Sequence, residues 1–461
     1  MRRVVDPGPV VSDQERRAEQ NAWSWYDWAS SAYTTTTGAV LFAPYLTSVA
    51  EQAACGRVGT LEDPCRTELV VAGVGLSPGS LVFYVITLAT VASAVALPIV
   101  GAVADRSRSK RALMAGFGWA GALAATAMCL VAGDSWQLGA ALLVAGNVAL
   151  GASLTVYDSI LCDIAGPDER DAVSSRAWAF GYLGGGVLLA VNLALVTGHD
   201  AVGISTTTAV RVSLASAGLW WAGFTVVPFL LLRDRPSRAR EEQPGGPVTR
   251  SFGQLVRTLR DARAYPMTLT FLLAYLFYND GIQTVIGTAS VYGERQLGFE
   301  TGVLIATILL VQFVAFGGAL LFGRLAGRHG SKRMVLVGLG GWLVVVGVGF
   351  TLPAGRLVPF LGLAVLIGVV LGGTQALSRS LFSQLVPAGR EAEYFALYQA
   401  AERGTSWLGT LVFGLVHQWT DSYRPAILAL AVFFVVGVVL LRSVDVRRGI
   451  TEAGNTPPAV L

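Results

Sequence analysis

The sequence predicts an all-α membrane protein, in which twelve membrane-spanning helices form two six-helix halves and both termini face the cytoplasm. Three observations predict this architecture: apolar stretches long enough to cross a bilayer, an uneven distribution of basic residues between alternate loops, and an internal repeat. Of the 461 residues, 53% are hydrophobic and only 14% are charged. A soluble domain carries about 25% charged residues, so the composition excludes an ordinary soluble protein.

The first observation is the set of apolar stretches, because about 20 such residues cross the roughly 30 Å hydrocarbon core of a bilayer. The predicted spans are 24–48, 79–104, 112–132, 137–162, 177–197, 209–232, 267–290, 302–325, 333–353, 358–385, 395–417 and 424–442. The predicted organisation is an N-terminal cytoplasmic tail (1–23), a first half (24–232), a cytoplasmic linker (233–264), a second half (265–442) and a C-terminal cytoplasmic tail (443–461).

The second observation is the distribution of arginine and lysine, which are enriched in cytoplasmic loops of membrane proteins. With the N-terminus inside, the inner segments hold 27 of the 34 basic residues and the outer loops hold six. Arg403, in predicted span 11, belongs to neither group. The imbalance predicts that both termini are cytoplasmic.

The third observation is a loop that occurs after span 2 and again after span 8, with glycine, arginine, lysine and arginine at identical spacing. A carboxylate at a helix end can bind basic residues or a helix N-terminus in one conformation and release them in another. The loop is therefore a candidate conformational switch. Its residues are Gly101, Asp105, Arg106, Lys110 and Arg111 in the first copy, and Gly323, Arg328, Lys332 and Arg333 in the second.

The long outer loop after span 1 contains Cys55 and Cys65. An oxidising compartment on the outer face would permit a disulfide between them. The sequence leaves open whether the two cysteines are bonded.

Polar side chains inside spans are the candidate functional residues, because burying them in a bilayer is costly unless they face a cavity or a partner. Asp280 is expected either to carry a coupling proton or to form a permanent ion pair. Arg379 is expected either to reach the inner surface or to bind a carboxylate, of the solute or of the protein. The candidates for solute or coupling-ion binding are Tyr26, Asp27, Tyr33, Asp158, Asn279, Asp280, Gln283, Gln375, Arg379 and Glu402.

No catalytic set is visible, and the three histidines fall at loops or span ends without forming a metal cluster. The sequence therefore predicts no enzyme, no cofactor, no metal and no nucleic-acid partner. It predicts a monomer whose partners are the lipid bilayer, a small-molecule solute and, as a candidate coupling ion, protons.

The repeated loop resembles that of the major facilitator superfamily. Four segments resemble one branch of it more specifically, the autophagy-related vacuolar amino-acid effluxers and their bacterial relatives. They are WYDWASSAY (25–33), VSSRAWAFGYLGGG (173–186), LFYNDGIQTVI (276–286) and GGTQALSRSLFSQLVP (372–387). For the fungal proteins the resemblance implies export of amino acids from the vacuole; for a bacterial chain it leaves substrate and direction open.

These observations predict a secondary transporter that moves a small solute by alternating access across a bacterial plasma membrane. The leading hypothesis is export of an amino acid, with Arg379 at its carboxylate and with Asp280 and Asp27 at an amine or a proton. Asp27 also lies near the inner end of span 1 and is a candidate inner gate. The alternatives are an exporter of lipophilic or drug-like compounds, and a non-transporting membrane receptor or scaffold.

Overall fold

The computed structural model describes residues 12–59, 65–71, 73–235, 263–404 and 406–461, so most of the predicted linker (233–264) lies outside the described residues. The first half contains α1 (Asp13–Tyr33), a π-helical segment (Thr34–Leu41), α2 (Phe42–Cys55), β1 (Leu69–Val71), β2 (Val74–Leu76), α3 (Leu81–Arg106), α4 (Lys110–Ala127), α5 (Trp136–Ile164), α6 (Arg170–Thr197), α7 (His199–Val202) and α8 (Thr206–Leu231). The second half contains α9 (Pro266–Val291), α10 (Thr301–His329), α11 (Ser331–Thr351), α12 (Leu357–Leu385), α13 (Glu391–Gly404), α14 (Ser406–Thr420), α15 (Tyr423–Ala429), α16 (Ala431–Ser443) and α17 (Val446–Glu452).

Nine helical stretches in the described part of the chain are long and apolar enough to cross a membrane, and they coincide with nine of the predicted spans. The other three predicted spans, 24–48, 267–290 and 395–417, fall on α1 to α2, on α9, and on α13 to α14. These three carry Asp27, Asp280 and Glu402, and acidic residues lower the hydropathy of a span. The count of twelve spans therefore remains a prediction.

The first helix begins well before the predicted start of span 1 at residue 24. Ser12 and Glu15 form a reciprocal cap, in which the Ser12 hydroxyl accepts from the Glu15 N–H and the Glu15 carboxylate accepts from the Ser12 N–H. Such a capping box stabilises a helix start. The predicted N-terminal tail is therefore helical from Asp13 onward.

The start of the linker is fixed to this helix. Arg233 donates to the Glu15 carboxylate at 2.7 Å, and Arg235 donates to the Glu19 carboxylate at 2.6 Å. The hydrogen bond from Arg233 lowers the pKa of Glu15 to about 2. Both acidic residues belong to the first turns of α1, so the end of the first half packs back on its beginning.

Each half has its own hydrophobic core. In the first half, Tyr33, Phe42 and Trp221 belong to one buried cluster, and in the second half Tyr275 and Trp342 belong to another. Cys55 and Cys65 form a disulfide in the loop between α2 and β1. After that loop, β1 pairs antiparallel with β2 in a short hairpin.

Candidate functional site

A cavity of about 360 Å³ lies between the two halves. Helices α1, α5 and α6 line it from the first half, and α9, α10, α12 and α13 line it from the second. Along α12 the lining extends from Phe360, in the first turn of the helix, to Arg379, six residues before its end at Leu385. The cavity therefore reaches the face at which α12 begins. The opposite face carries the C-terminal segment, where Asn455 donates to the carbonyl of Gln384.

Arg379 closes the end of the cavity nearest the C-terminal segment by joining the two halves. Its Nη2 donates to Asp27 Oδ2 on α1 at 2.9 Å, and its Nη1 donates to Asp158 Oδ1 on α5 at 3.3 Å. Two further bonds reach Ser174 on α6, from Nε to the hydroxyl at 3.0 Å and from Nη2 to the carbonyl at 3.2 Å. Arg379 is only 2% exposed, so it does not extend to the inner surface; it binds carboxylates of the protein.

Three aromatic rings surround the same guanidinium. Its central carbon lies 4.8 Å from the Trp23 ring centroid, 5.4 Å from that of Tyr157 and 5.3 Å from that of Trp178. A planar guanidinium can stack on rings and donate in its plane at the same time, which a lysine ammonium cannot. The rings and the four hydrogen bonds leave the guanidinium little room for a solute carboxylate in this conformation.

A chain of amides continues the floor of the cavity from Asp158 to α13. Gln399 Nε2 donates to Asp158 Oδ2 at 2.8 Å and approaches Glu402 Oε2 at 3.4 Å. Gln375 Nε2 donates to Asn279 Oδ1 at 2.9 Å, and Asn279 Nδ2 donates to the Glu402 carbonyl at 3.2 Å. These bonds fix the side chains next to the ion cluster of Arg379, Asp27 and Asp158.

Several of the predicted solute or coupling-ion residues line the cavity together, although they are far apart in the sequence. They are Asp27, Asp158, Gln283, Gln375, Arg379 and Glu402.

Tyr26 and Tyr33 are absent from this lining. The ring of Tyr26 packs on that of Tyr157, and the ring of Tyr33 packs on that of Trp221. Both hydroxyls point at glycines of the first half, Tyr26 at Gly118 of α4 and Tyr33 at Gly146 of α5. Both tyrosines therefore lie on the core-facing side of α1, away from the cavity, and their role in solute binding stays a prediction.

Asp280 is fully buried but does not line the cavity either. Its Oδ2 accepts the backbone N–H of Gly409, in the first turn of α14, at 2.8 Å. Asp280 therefore contacts a backbone N–H group of a neighbouring helix, whereas Asp27 binds an arginine.

The first copy of the repeated loop contacts the second half on the face of the molecule that carries the C-terminal segment. Asp105 accepts hydrogen bonds from the backbone N–H groups of Ala392 at 2.8 Å and Glu393 at 2.9 Å, at the start of α13. A helix N-terminus favours a carboxylate. At Gly101, one turn earlier, a Cβ would lie 2.5 Å from the Ala392 carbonyl oxygen. Glycine therefore permits this close approach of α3 and α13.

Two basic residues of the first copy bind the first half and the start of the linker. Lys110 Nζ donates to Asp163 at 2.9 Å, and Arg111 Nε donates to Asp234 at 3.0 Å. Arg106 is exposed and forms no ion pair with any described residue.

The second copy has a different set of partners. Lys332 Nζ donates to the carbonyls of Arg442 at 3.0 Å and Val444 at 2.7 Å, at the end of α16. Gly323 packs against the side chain of Ser175 in the first half. Among the residues that the structure describes, Arg328 and Arg333 are exposed and form no ion pair.

The sequence analysis missed Arg403, Gln399, Trp178 and Tyr182, which all line the cavity. One signal for Arg403 was present, because the distribution of basic residues assigned it to neither side of the membrane. A basic residue inside a span is expected to face a cavity or a partner.

Comparison with known proteins relates most of the chain to one family of membrane transporters. Residues 15–454 match the family model of vacuole effluxer Atg22-like proteins. The chain is 27% identical over 445 residues to an uncharacterized MFS-type transporter, YxiO, of Bacillus subtilis (strain 168), covering 95% of this chain and 98% of the relative. It is 25% identical to autophagy-related protein 22 of Yarrowia lipolytica, covering 83% of this chain and 78% of the relative.

Solved structures show the same fold at low sequence identity. The proton:xylose symporter XylE superposes with a TM-score of 0.71 at 13% identity, covering 96% of this chain and 99% of that chain. The human organic anion transporter MFSD10 superposes with a TM-score of 0.68 at 15% identity, covering 92% of this chain and 99% of that chain.

Proposed function

The chain belongs to the family of vacuole effluxer Atg22-like proteins, and we propose that it exports amino acids or similar small metabolites by alternating access. Its fold is that of the major facilitator superfamily. It is therefore a multi-pass membrane transporter rather than an enzyme, and its partners are a lipid bilayer and a small solute.

The observation that carries the proposal is a cavity between the halves whose inner end is closed by contacts from one half to the other. Arg379 binds Asp27 and Asp158 at its floor, and Asp105 binds the start of α13 nearer the inner face. With the termini in the cytoplasm, as the basic residues predict, this cavity faces outward. Opening it to the cytoplasm requires both sets of contacts to break while the outer rims of the halves approach each other.

The charges at the floor of the cavity suggest how solute binding is coupled to the opening of its inner end. Two carboxylates bind one guanidinium, so the cluster carries one excess negative charge when all three groups are ionised. Burying an uncompensated charge is costly. A cation that arrives at Asp27, either the ammonium of a solute or a proton, would compete with Arg379 for this carboxylate and loosen the closure.

The cavity walls fit a solute with an apolar part. Above the charged floor the lining is largely aliphatic, with Val285, Ile286, Leu304 and Ile308 among its members. A neutral amino acid presents both a charged head and an apolar side chain. Since the Bacillus subtilis relative aligns over nearly the whole chain, we place the protein in a bacterial plasma membrane, with protons as the candidate coupling ion.

Transport assays in proteoliposomes test the proposal. Purified protein should catalyse counterflow of radiolabelled L-leucine, and Arg379→Met should abolish it, whereas exposed Arg356→Met should retain it. Absence of counterflow for every neutral amino acid would refute the amino-acid assignment.

The aliphatic lining also favours a second candidate, the export of lipophilic compounds. Inhibition of transport by hydrophobic cations but not by leucine would support it. A receptor or scaffold would show no alternation, so the inner-face thiol Cys162 would label at the same rate with and without solute.

A further inference from the structure

Arg403 lies at the end of α13 and lines the cavity. In the described chain its one hydrogen bond is weak, from Nε to Gln399 Oε1 at 3.4 Å, and no carboxylate lies within ion-pair distance. A Cβ at Gly151, on α5 of the other half, would lie 3.4 Å from Arg403 Nε. The side chain therefore reaches across the cavity toward the first half.

An arginine at this depth needs a partner, because a guanidinium in a membrane interior is costly when it is unpaired. Arg379, which lines the same cavity, is fully paired, because it forms four hydrogen bonds and binds two carboxylates. Arg403 keeps most of its N–H donors unused by the described residues. Such a fork of donors matches a carboxylate, which it can bind with two parallel hydrogen bonds.

Glu402, the preceding residue, also lines the cavity but does not bind Arg403. Gln399 stands between them, because its Oε1 accepts from Arg403 while its Nε2 approaches Glu402 Oε2 at 3.4 Å. The cavity thus presents a positive and a negative side chain side by side without a direct ion pair between them. A small molecule with both an ammonium and a carboxylate would satisfy both.

We propose that Arg403 binds the carboxylate of the transported solute and that Glu402 binds its ammonium group. The assignment rests on the proposed transport function. It replaces Arg379, the carboxylate-binding residue expected from the sequence, which the protein's own carboxylates occupy. It also places the ammonium on Glu402 rather than on Asp27, so that the proton is the cation left to compete for Asp27.

Three probes that differ by one charged group test the assignment: L-leucine, L-leucinamide, which lacks the carboxylate, and 4-methylpentanoate, which lacks the ammonium. Their affinities are measured by thermal shift on the detergent-solubilised protein and on Arg403→Gln, Arg403→Lys and the exposed control Arg356→Gln. Losing a charge-assisted hydrogen bond should weaken leucine binding to Arg403→Gln about tenfold or more. Leucinamide binding should change less than about twofold, and Arg403→Lys should recover part of the loss because it keeps the charge.

The assignment is overturned if Arg403→Gln still prefers leucine over leucinamide by the ratio seen in the native protein. A native protein that binds 4-methylpentanoate but not leucine would refute the amino-acid proposal alone. In that case, loss of 4-methylpentanoate binding in Arg403→Gln would support the assignment of Arg403 to the solute carboxylate, and unchanged binding would overturn it. Binding of leucinamide alone, or of none of the three probes, would overturn the assignment.

Discussion

Replacing Arg379 by methionine is expected to open the inner end of the cavity. Methionine is also long and unbranched but removes the charge and all four hydrogen bonds to the first half. Asp27 and Asp158 would then remain as two carboxylates without their cation at the floor of the cavity. Their repulsion and desolvation favour any conformation in which the halves separate and water reaches them.

The size of this shift in the equilibrium between the closed and open conformations follows from the burial of Arg379, Asp27 and Asp158. The Arg379 side chain is 3% exposed, and those of its partners are 9% and 2% exposed. Removing one member of a buried ion pair costs about 3–5 kcal/mol. Since every 1.4 kcal/mol changes an equilibrium tenfold, the inward-closed population should fall by at least a hundredfold relative to the open one.

A native cysteine reports this change. Cys162 lies on α5 with its thiol 3.7 Å from the Ser383 carbonyl of α12, so separation of the halves exposes it. With Cys129 replaced by serine, N-ethylmaleimide labelling of Cys162 should be much faster in Arg379→Met than in the parent. Arg356→Met, at the opposite end of α12, should label at the parent rate.

A triple variant separates charge from packing. Arg379→Met combined with Asp27→Asn and Asp158→Asn leaves no unpaired charge, and neutral replacement of a whole buried ion cluster is often tolerated. Labelling should therefore return most of the way to the parent rate. Equal labelling of the single variant and the parent, or no recovery in the triple variant, would show that the ion cluster does not hold the halves together through charge.

Three further expectations concern other parts of the molecule. Gly101→Ala should impair transport and speed labelling, because its Cβ would press on the backbone of α13, whereas Gly327→Ala has open space and should be neutral in the same assays. Cys55→Ser should lower the melting temperature without abolishing transport, since removing the bond to Cys65 frees only an outer loop. Asp280→Asn keeps an acceptor for α14 but cannot ionise, so uptake driven by a pH gradient should be lost if Asp280 carries the coupling proton; unchanged pH-driven uptake would refute that role.

Much of the fold followed from the sequence because the bilayer imposes local rules. A span must be apolar over about 20 residues whatever its neighbours are, so nine spans were located within a few residues. The three less apolar spans, which carry acidic residues, remain predictions of the same pattern. The same rules marked Asp27, Asp158 and Arg379 as exceptions, because a charge inside a span requires an explanation.

The partners of those charges were not predictable, because they depend on how distant helices pack. Asp27 and Arg379 are separated by 352 positions in the chain. Helix periodicity tells which residues share a face, but not which other helix that face meets. The sequence therefore left open whether Arg379 binds a carboxylate of the solute or of the protein, and whether Asp280 carries a proton or forms an ion pair. In the structure Asp27 and Asp158 bind Arg379, and Asp280 accepts the backbone N–H of Gly409.

The sequence alone thus determined the membrane class and the short set of buried charges, since each is a local response to hydrocarbon. The tertiary structure decided which charges neutralise one another and which are left for a ligand, because pairing is set by side chains that converge from α1, α5, α12 and α13. Asp27 is satisfied by Arg379, whereas Arg403, one of five charged residues lining the cavity, has no ion-pair partner among the described residues.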